Sequence, residues 1–292
     1  MARRGAAAQL IEKPHIDHMK NQPQQNELRD LTIADFGDQW TRYTDNDGHY
    51  GSIDILVDTF GPLLSLDEIA GRQVAEIGSG TGRIVHMLQA AGAQRVLAIE
   101  PSDAVEVLPK NVAESADRVD ILHGRGDEIP ADAGLDYVVS IGEIHHIPEP
   151  GVVIAASLNA LKPGGRMVVW LYGRDGHRLT VSAIEAIRAF TTHLPHAALA
   201  LLAHMFNLVL DIYIPLCRWL PLPLWDYLRN VHRKFSREKR YLVIYDQLKP
   251  AYAKYYAEAE ARALLIDAGF VDVRLYHRRQ YSWTVIGTRP SI

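Results

Sequence analysis

The sequence predicts an α/β fold: a doubly wound, mainly parallel sheet with a helical cap inserted after the fifth strand. Three observations carry that expectation. Between Val74 and Trp170, short runs rich in Val and Ile alternate with helix-like segments. The runs are apolar on both faces, as strands covered by helices on both sides must be. After Gly173 the alternation lapses for about 75 residues, then resumes with one helix and two strands.

Each element follows from local pattern. Residues 1 to about 30, including "KNQPQQNELRD", are polar and are expected to form a loose arm before a domain spanning 31–292. Strands are expected at "VAEI" (74–77), "RVLAIE" (95–100), "VDIL" (119–122), "LDYVVSIG" (135–142) and "RMVVWLY" (166–172). Helices are expected at "RIVHMLQAAG", "DAVEVLPKNVAES" and "VVIAASLNALK", the last stopped by the proline and glycines of "LKPGG". After the insertion come the helix "EAEARALLIDAGF" and the strands "VDVRLYHRR" and "QYSWTVIGTR". The junction between those strands is short, which makes them antiparallel neighbours.

Composition narrows the function. With 48% apolar and 23% charged residues the chain has ample material for a core. A formal charge of −4 argues against a broad nucleic-acid footprint. Cys217 is the only cysteine, which excludes an intramolecular disulfide and a cysteine-rich zinc site. "MARRGAAAQLIEKPHIDHMK" lacks the apolar stretch of a secretory signal, so a cytoplasmic location is expected by default.

The segment "VAEIGSGTGRIVHML" (74–88) ends an apolar run in a glycine cluster and goes directly into helical spacing. Such a turn brings backbone N–H groups and a positive helix terminus to a ligand. Gly78, Gly80 and Gly82 have G-x-G-x-G spacing, not the dinucleotide fingerprint, and no Lys-Ser or Lys-Thr of a Walker loop follows. Glu100 ends the second strand about 20 residues later, where a carboxylate can accept both hydroxyls of a ribose. Asp127, in "GRGDEIP" after the third strand, can accept from an adenine amino group.

Together these segments resemble the class I S-adenosylmethionine-dependent methyltransferases. "AEIGSGTGR" resembles their first motif, "LAIEPSD" the ribose loop and "GRGDEIP" the adenine loop. "LDYVVSIGEIHHIPEP" and "LKPGGRMVVWLYG" resemble the motifs at the fourth and fifth strands. The resemblance implies a seven-stranded Rossmann-like sheet with a reversed last strand, and S-adenosylmethionine as cofactor. It places Glu76, Gly78, Ser79, Gly80 and Gly82 at the glycine turn, with Glu76 and Gly78 near the methionine part. Glu100 and Pro101 would serve the ribose, Gly126, Asp127 and Glu128 the adenine, and Ile141 and Gly142 the end of the fourth strand. "ADFGDQWTRY" (34–43) resembles an FGxQW segment whose aromatics, here Trp40 and Tyr43, close over the cofactor.

Methyl transfer from a sulfonium is an in-line displacement that needs alignment and, for a hydroxyl acceptor, a base. Brought to the carboxyl end of the fourth strand, His145 and His146 are candidate bases and Glu143 a candidate partner of the acceptor; each is also a candidate structural residue. No Asn- or Asp-Pro-Pro-Tyr motif is present, which disfavours amino-methylation of DNA bases. Cys217 lies in the insertion, away from where a cytosine-C5 nucleophile would sit. The fourth strand ends "VVSIGE", without the aspartate of magnesium-dependent catechol-type enzymes, so no metal is expected.

The insertion, 175–250, is expected to be a helical cap over the acceptor. Leu201, Leu202, Met205, Leu208, Val209 and Ile212 share one helical face, with His204, Asn207 and Asp211 on the other. That arrangement predicts an amphipathic helix whose apolar stripe packs on the sheet edge or encloses an apolar acceptor. The run "RNVHRKFSREKR" is either a solvated face or a receiver for an amphiphilic, anionic or lipid-linked molecule, and it allows salt-sensitive contact with an anionic membrane surface. The leading expectation is methyl transfer, without metal, to an oxygen of a small or amphiphilic acceptor, lipid- or glycan-like. RNA or protein methylation, and a non-catalytic cofactor-binding scaffold, are the alternatives; nucleic acid is disfavoured by charge.

Overall fold

The computed structural model describes residues 16–291, with side chains from residue 23. Seven strands form one sheet in the order β3-β2-β1-β4-β5-β7-β6. They are β1 Gln73–Ile77, β2 Arg95–Glu100, β3 Val119–His123, β4 Leu135–Ile141, β5 Leu161–Tyr172, β6 Val271–Arg278 and β7 Ser282–Thr288. Pairings from β3 to β5 are parallel, and β7 runs antiparallel to both β5 and β6. The expected reversed strand is therefore β7.

Alternation within the strands explains why both faces are apolar. Val74, Val139, Val168 and Ile286 enter one core, while Ala75, Val138, Val169 and Val285 enter the other. Burying each such aliphatic side chain stabilises the fold by about 1.5–3 kcal/mol, so a polar residue at any of them would oppose the sheet. The first core is covered by α2 (Ile53–Phe60) and α3 (Arg83–Ala90), through Leu56, Phe60, Met87 and Leu88. The second is covered by α5 (Pro150–Ala160) and α10 (Glu258–Ile266), through Ile154 and Leu265. The short α4 (Leu108–Asn111) lies between β2 and β3. Helix α5 ends at Ala160, directly before "LKPGG", as expected, but strand β5 already begins within that segment. Pairing resumes at Leu161 opposite Leu135, and a register shift separates that pair from Tyr137 opposite Arg166. Residues 162–165 thus bulge out of β5, with Gly164 at φ 78.

Helix α1 (Ile16–Arg42) corrects the expected loose arm over 1–30; residues 1–15 lie outside the described residues. The insertion is helical, as expected: α6 Arg178–Thr191, α7 His196–Leu216, α8 Trp225–Asn230 and α9 Arg237–Leu248. Ser236 caps α9 by accepting from the Lys239 N–H at 3.1 Å. The insertion returns to its starting point: the Tyr256 N–H donates to the Tyr172 carbonyl at 2.8 Å, and the Arg174 N–H to the Tyr256 carbonyl at 2.9 Å. Its base is pinned at the carboxyl end of β5.

One expectation about α7 is reversed. Leu201, Met205, Leu208, Val209 and Ile212 are exposed, while Asn207 is buried and Asp211 half-buried. Of the polar side, Asn207 and Asp211 turn inward because they find partners there, while His204 stays exposed beside the Tyr241 ring. Asn207 Nδ2 donates to the Arg237 carbonyl at 2.7 Å, and Asp211 takes Arg237 at 2.6 Å and Arg240 at 2.7 Å.

Candidate functional site

At the end of β1 the chain turns through Gly78 (φ 77), Ser79 and Gly80 (φ 50) toward α3. These left-handed angles suit glycine and disfavour other residues. The N–H groups of Gly78 and Ser79 donate to the Ile99 carbonyl at 2.9 and 3.0 Å, fixing the turn against β2. The Gly80 N–H donates to Glu100 Oε2 at 2.6 Å, and Glu100 Oε1 accepts from the backbone N–H of Ser102 at 2.9 Å and from its hydroxyl. Burial raises the Glu100 pKa, and the donors from Ser102 and Gly80 oppose that rise.

Beside this turn lies a cleft bounded by Glu100, Pro101, Gly126, Asp127, Ile147 and Val153. Arg125 pairs with Asp127 at 3.0 Å and lowers its carboxyl pKa. Helix α1 covers the cleft with Gln25, Asn26, Arg29, Phe36 and Trp40. The covering is close at Gly37, where an added Cβ would meet Ser102 Cβ at 3.3 Å. Phe36 packs edge-on against His146, with ring centroids 4.8 Å apart.

A second cavity meets the first at Phe36, Trp40, Gly78, Gly80 and Glu143. It lies between the sheet and the cap, bounded by Glu76, Ile141, Gly142, Trp170, Tyr172, Tyr227, Asp246 and Tyr281, among others. Asp246, on α9, accepts from Gln39 Nε2 on α1 and from the Tyr172 hydroxyl on β5, each at 3.3 Å. Burial raises its pKa to about 6, while those two donors hold it down. Glu76 is different: both its oxygens are buried without a hydrogen-bond partner, and burial pushes its pKa to about 8. Burial also takes Glu143 to about 8, helped by the charges of Glu100 and Asp246. The Glu143 side chain lies across Gly78, where an added Cβ would stand 2.6 Å from Glu143 Cβ.

Most of the expected residues converge on these two cavities. Trp40, Gly78, Gly80 and Glu143 bound both; Glu100, Pro101, Gly126 and Asp127 bound the cleft; Glu76, Ser79, Ile141 and Gly142 bound the second cavity. Five depart. Tyr43 points into the cap, its hydroxyl 2.9 Å from that of Tyr241, because that polar partner lies on α9. Gly82 backs the turn, where a Cβ would meet Val112 at 3.1 Å, so its role is packing. Glu128 folds back to accept from the Arg125 N–H at 2.6 Å and borders neither cavity. His145 borders neither cavity; its ring lies 3.8 Å from that of Tyr172, and burial drives its pKa well below the ordinary value. His146 reaches the cleft wall, but its Nδ1 lies 2.8 Å from the Tyr252 carbonyl and burial lowers its pKa to about 3. A base needs a pKa near the working pH, and neither histidine provides it.

Asp246, Gln39 and Phe36 are site residues that motif reading passed over. The sequence carries a signal for Asp246: it stands four residues after the buried Leu242 and so shares its inward helical face.

Residues 74–165 match the family model for a methyltransferase domain. Residues 74–165 therefore form a methyltransferase domain of the class I, S-adenosylmethionine-dependent kind. It is similar to an uncharacterized methyltransferase of Staphylococcus carnosus, 30% identical over 118 residues that make up 40% of this chain and 55% of that one. It is also similar to a ubiquinone biosynthesis O-methyltransferase of Aromatoleum aromaticum, 34% identical over 102 residues, 34% of this chain and 43% of that one. The chain thus spans about half the length of these curated relatives. The magnesium protoporphyrin IX methyltransferase of Synechocystis, solved with bound SAH, shares the fold at a TM-score of 0.53 and 15% identity, over 91% of this chain and 99% of that one.

S-adenosylmethionine is the cofactor of the methyltransferase domain, and the residues present fit it. Gly78 and Gly80 let Glu143 and Trp40 close on the turn, where an added Cβ would stand 2.6 Å and 3.6 Å from them, so the backbone is open to a ligand's close approach only with glycine there. Glu100, held by Gly80 and Ser102, would offer a fixed carboxylate to the ribose hydroxyls, and Asp127 would offer an acceptor to the adenine. The unpartnered carboxyl group of Glu76 suits the methionine ammonium.

Proposed function

We propose that the protein transfers the methyl group of S-adenosylmethionine to a hydroxyl oxygen of a small or amphiphilic acceptor held under the cap. The observation that carries this reading is Asp246, a buried carboxyl group with a pKa of about 6, in the cavity that adjoins the cofactor cleft. It is mostly ionised at neutral pH yet basic enough to take a proton as the hydroxyl becomes nucleophilic. Gln39 donates to one of its oxygens and Tyr172 to the other, so its orientation is set before the acceptor arrives.

Cofactor chemistry supplies an electrophilic methyl on cationic sulfur, whose bonding pair leaves with the sulfur as a neutral thioether. The chain's residues do the rest. Asp246 accepts the acceptor's proton as the O–CH₃ bond forms. Glu143, mostly protonated at neutral pH, presents a hydrogen-bond donor where the two cavities join. Trp170, Tyr172, Tyr227 and Tyr281 wall the cavity and exclude water.

An amphiphilic acceptor is supported by an adjoining apolar recess of about 320 Å³ among α6, α7, α8 and α9, bounded by Ile184, Phe206, Leu210 and Leu228. Tyr227, Val243, Gln247 and Tyr281 border both spaces, so a polar head at Asp246 and an apolar tail in the recess fit together. Recesses of about 300 Å³ and more hold small molecules.

The test is transfer of a radiolabelled methyl group to a panel of long-chain phenols and hydroxylated lipids. Label should appear as an ether in the organic phase, and Asp246→Asn should slow its appearance by about 10²–10⁴-fold. Label confined to amines or to protein, or an Asp246→Asn variant of full activity, would overturn the reading.

A further inference from the structure

The outward face of α7 has no place in methyl transfer. Leu201, Met205, Leu208, Val209, Ile212 and Leu216 form one stripe about 22 Å long. Exposure reaches 64% at Leu201 and 70% at Ile212, and Trp219 extends the stripe at 77%. Single exposed apolar residues need no explanation, but a contiguous ridge of this size marks a contact surface.

What flanks the ridge identifies the partner. A recess of about 370 Å³ opens beside it, bounded by Ile214 and Trp219 and by Arg218, Arg229, Arg233 and Arg240. Arg240 is paired with Asp211, but among the described residues Arg218, Arg229 and Arg233 have no carboxylate partner. The cap segment 175–250 holds ten Lys and Arg against six Asp and Glu, in a chain whose net charge is −4. Charge is therefore segregated, with the basic part beside the apolar ridge.

We infer that α7 and the arginine recess seat the protein on an anionic lipid surface, with the ridge in the acyl boundary and the guanidinium groups on lipid phosphates. The seating is peripheral. By length and composition α7 could cross a bilayer. Spanning would strip Asn207 and Asp211 of the partners they hold on α9. A second copy of the chain is a poorer occupant, since a two-fold contact through the ridge would bring arginines together without carboxylates to meet them. The inference goes beyond the proposed methyl transfer, and its test reads lipid binding alone.

That test is co-sedimentation with vesicles of phosphatidylglycerol and phosphatidylcholine against vesicles of phosphatidylcholine alone. The full chain should bind the anionic vesicles and be released by high salt. Each arginine near such a surface is worth about fivefold in affinity, so Arg218→Gln, Arg229→Gln and Arg233→Gln combined should weaken binding by roughly 100-fold. Leu208→Ser with Ile212→Ser should also release it; both variants alter exposed side chains and should melt as the wild type does. Equal binding to both vesicle types, or none, would overturn the inference. So would a concentration-dependent dimer that Leu208→Ser with Ile212→Ser abolishes while vesicle binding persists.

Discussion

Glu76 and Asp246 are both buried carboxyl groups, and their hydrogen bonding separates them. Without donors Glu76 rises to about 8 and is mostly protonated at pH 7, whereas Asp246, with two donors, stays near 6 and is mostly ionised. An ammonium group arriving at Glu76 stabilises its charged form, so cofactor binding at pH 7 should expel a proton. Calorimetry in buffers of different ionisation enthalpy should show release in the wild type and none in Glu76→Gln. Stability follows the same logic. Glu76 and Glu143 have folded pKa values raised from 4.5 to about 8, so their contribution is complete below 4.5 and is lost as pH rises through about 8. The buried His145 and His146, with lowered pKa values, are neutral in both states above pH 7 and add nothing there. The cofactor-free protein should therefore melt at lower temperature as pH rises from roughly 7 to 9, and added cofactor should reverse part of the loss. For Asp246 the sign is opposite in activity: kcat/KM should climb as pH rises through about 6, and Asp246→Asn should remove that limb.

Helix α1 is the element that joins the cofactor cleft to the cap. It places Trp40 over the glycine turn and Gln39 on Asp246, and its Asp35 takes Lys249 at 2.7 Å beyond the end of α9. Trp40→Ala should weaken cofactor binding by about tenfold, from lost aromatic burial. Glu100→Ala should cost about 10- to 100-fold, since it removes a charged acceptor and unties the Gly80 and Ser102 donors. Calorimetric affinities that match the wild type in both variants would contradict the placement. The inner strands were legible in the sequence because burial on both faces leaves a continuous Val- and Ile-rich signal. The start of α1 was not legible, since its inward positions face a polar cleft instead of a core and read as solvated. For α7 the amphipathic pattern was correct and its orientation was not. Periodicity reports that a helix has two faces; which one meets the protein depended on Arg237 and Arg240 being there to receive Asp211.

At the scale of the whole molecule, the proposed methyl transfer divides its work between two cavities that touch at Gly78, Gly80 and Glu143. The sheet and α1 form the cofactor side, and the cap with the carboxyl end of β5 forms the acceptor side. Motif spacing made the first side readable, because backbone turns that approach a ligand restrict their residues strongly. The second side is assembled from α1, β5 and α9, with Gln39 and Asp246 lying 207 positions apart, and Asp246 gained its meaning only once they met. The measurement that tests this division most directly is hydrogen exchange with and without S-adenosylhomocysteine. Slower exchange is expected in residues 25–40 of α1, the 78–82 turn and the loops at 100–102 and 125–127, with the outer face of α7 unchanged. Protection confined to the cap, with the glycine turn and α1 unaffected, would contradict the account.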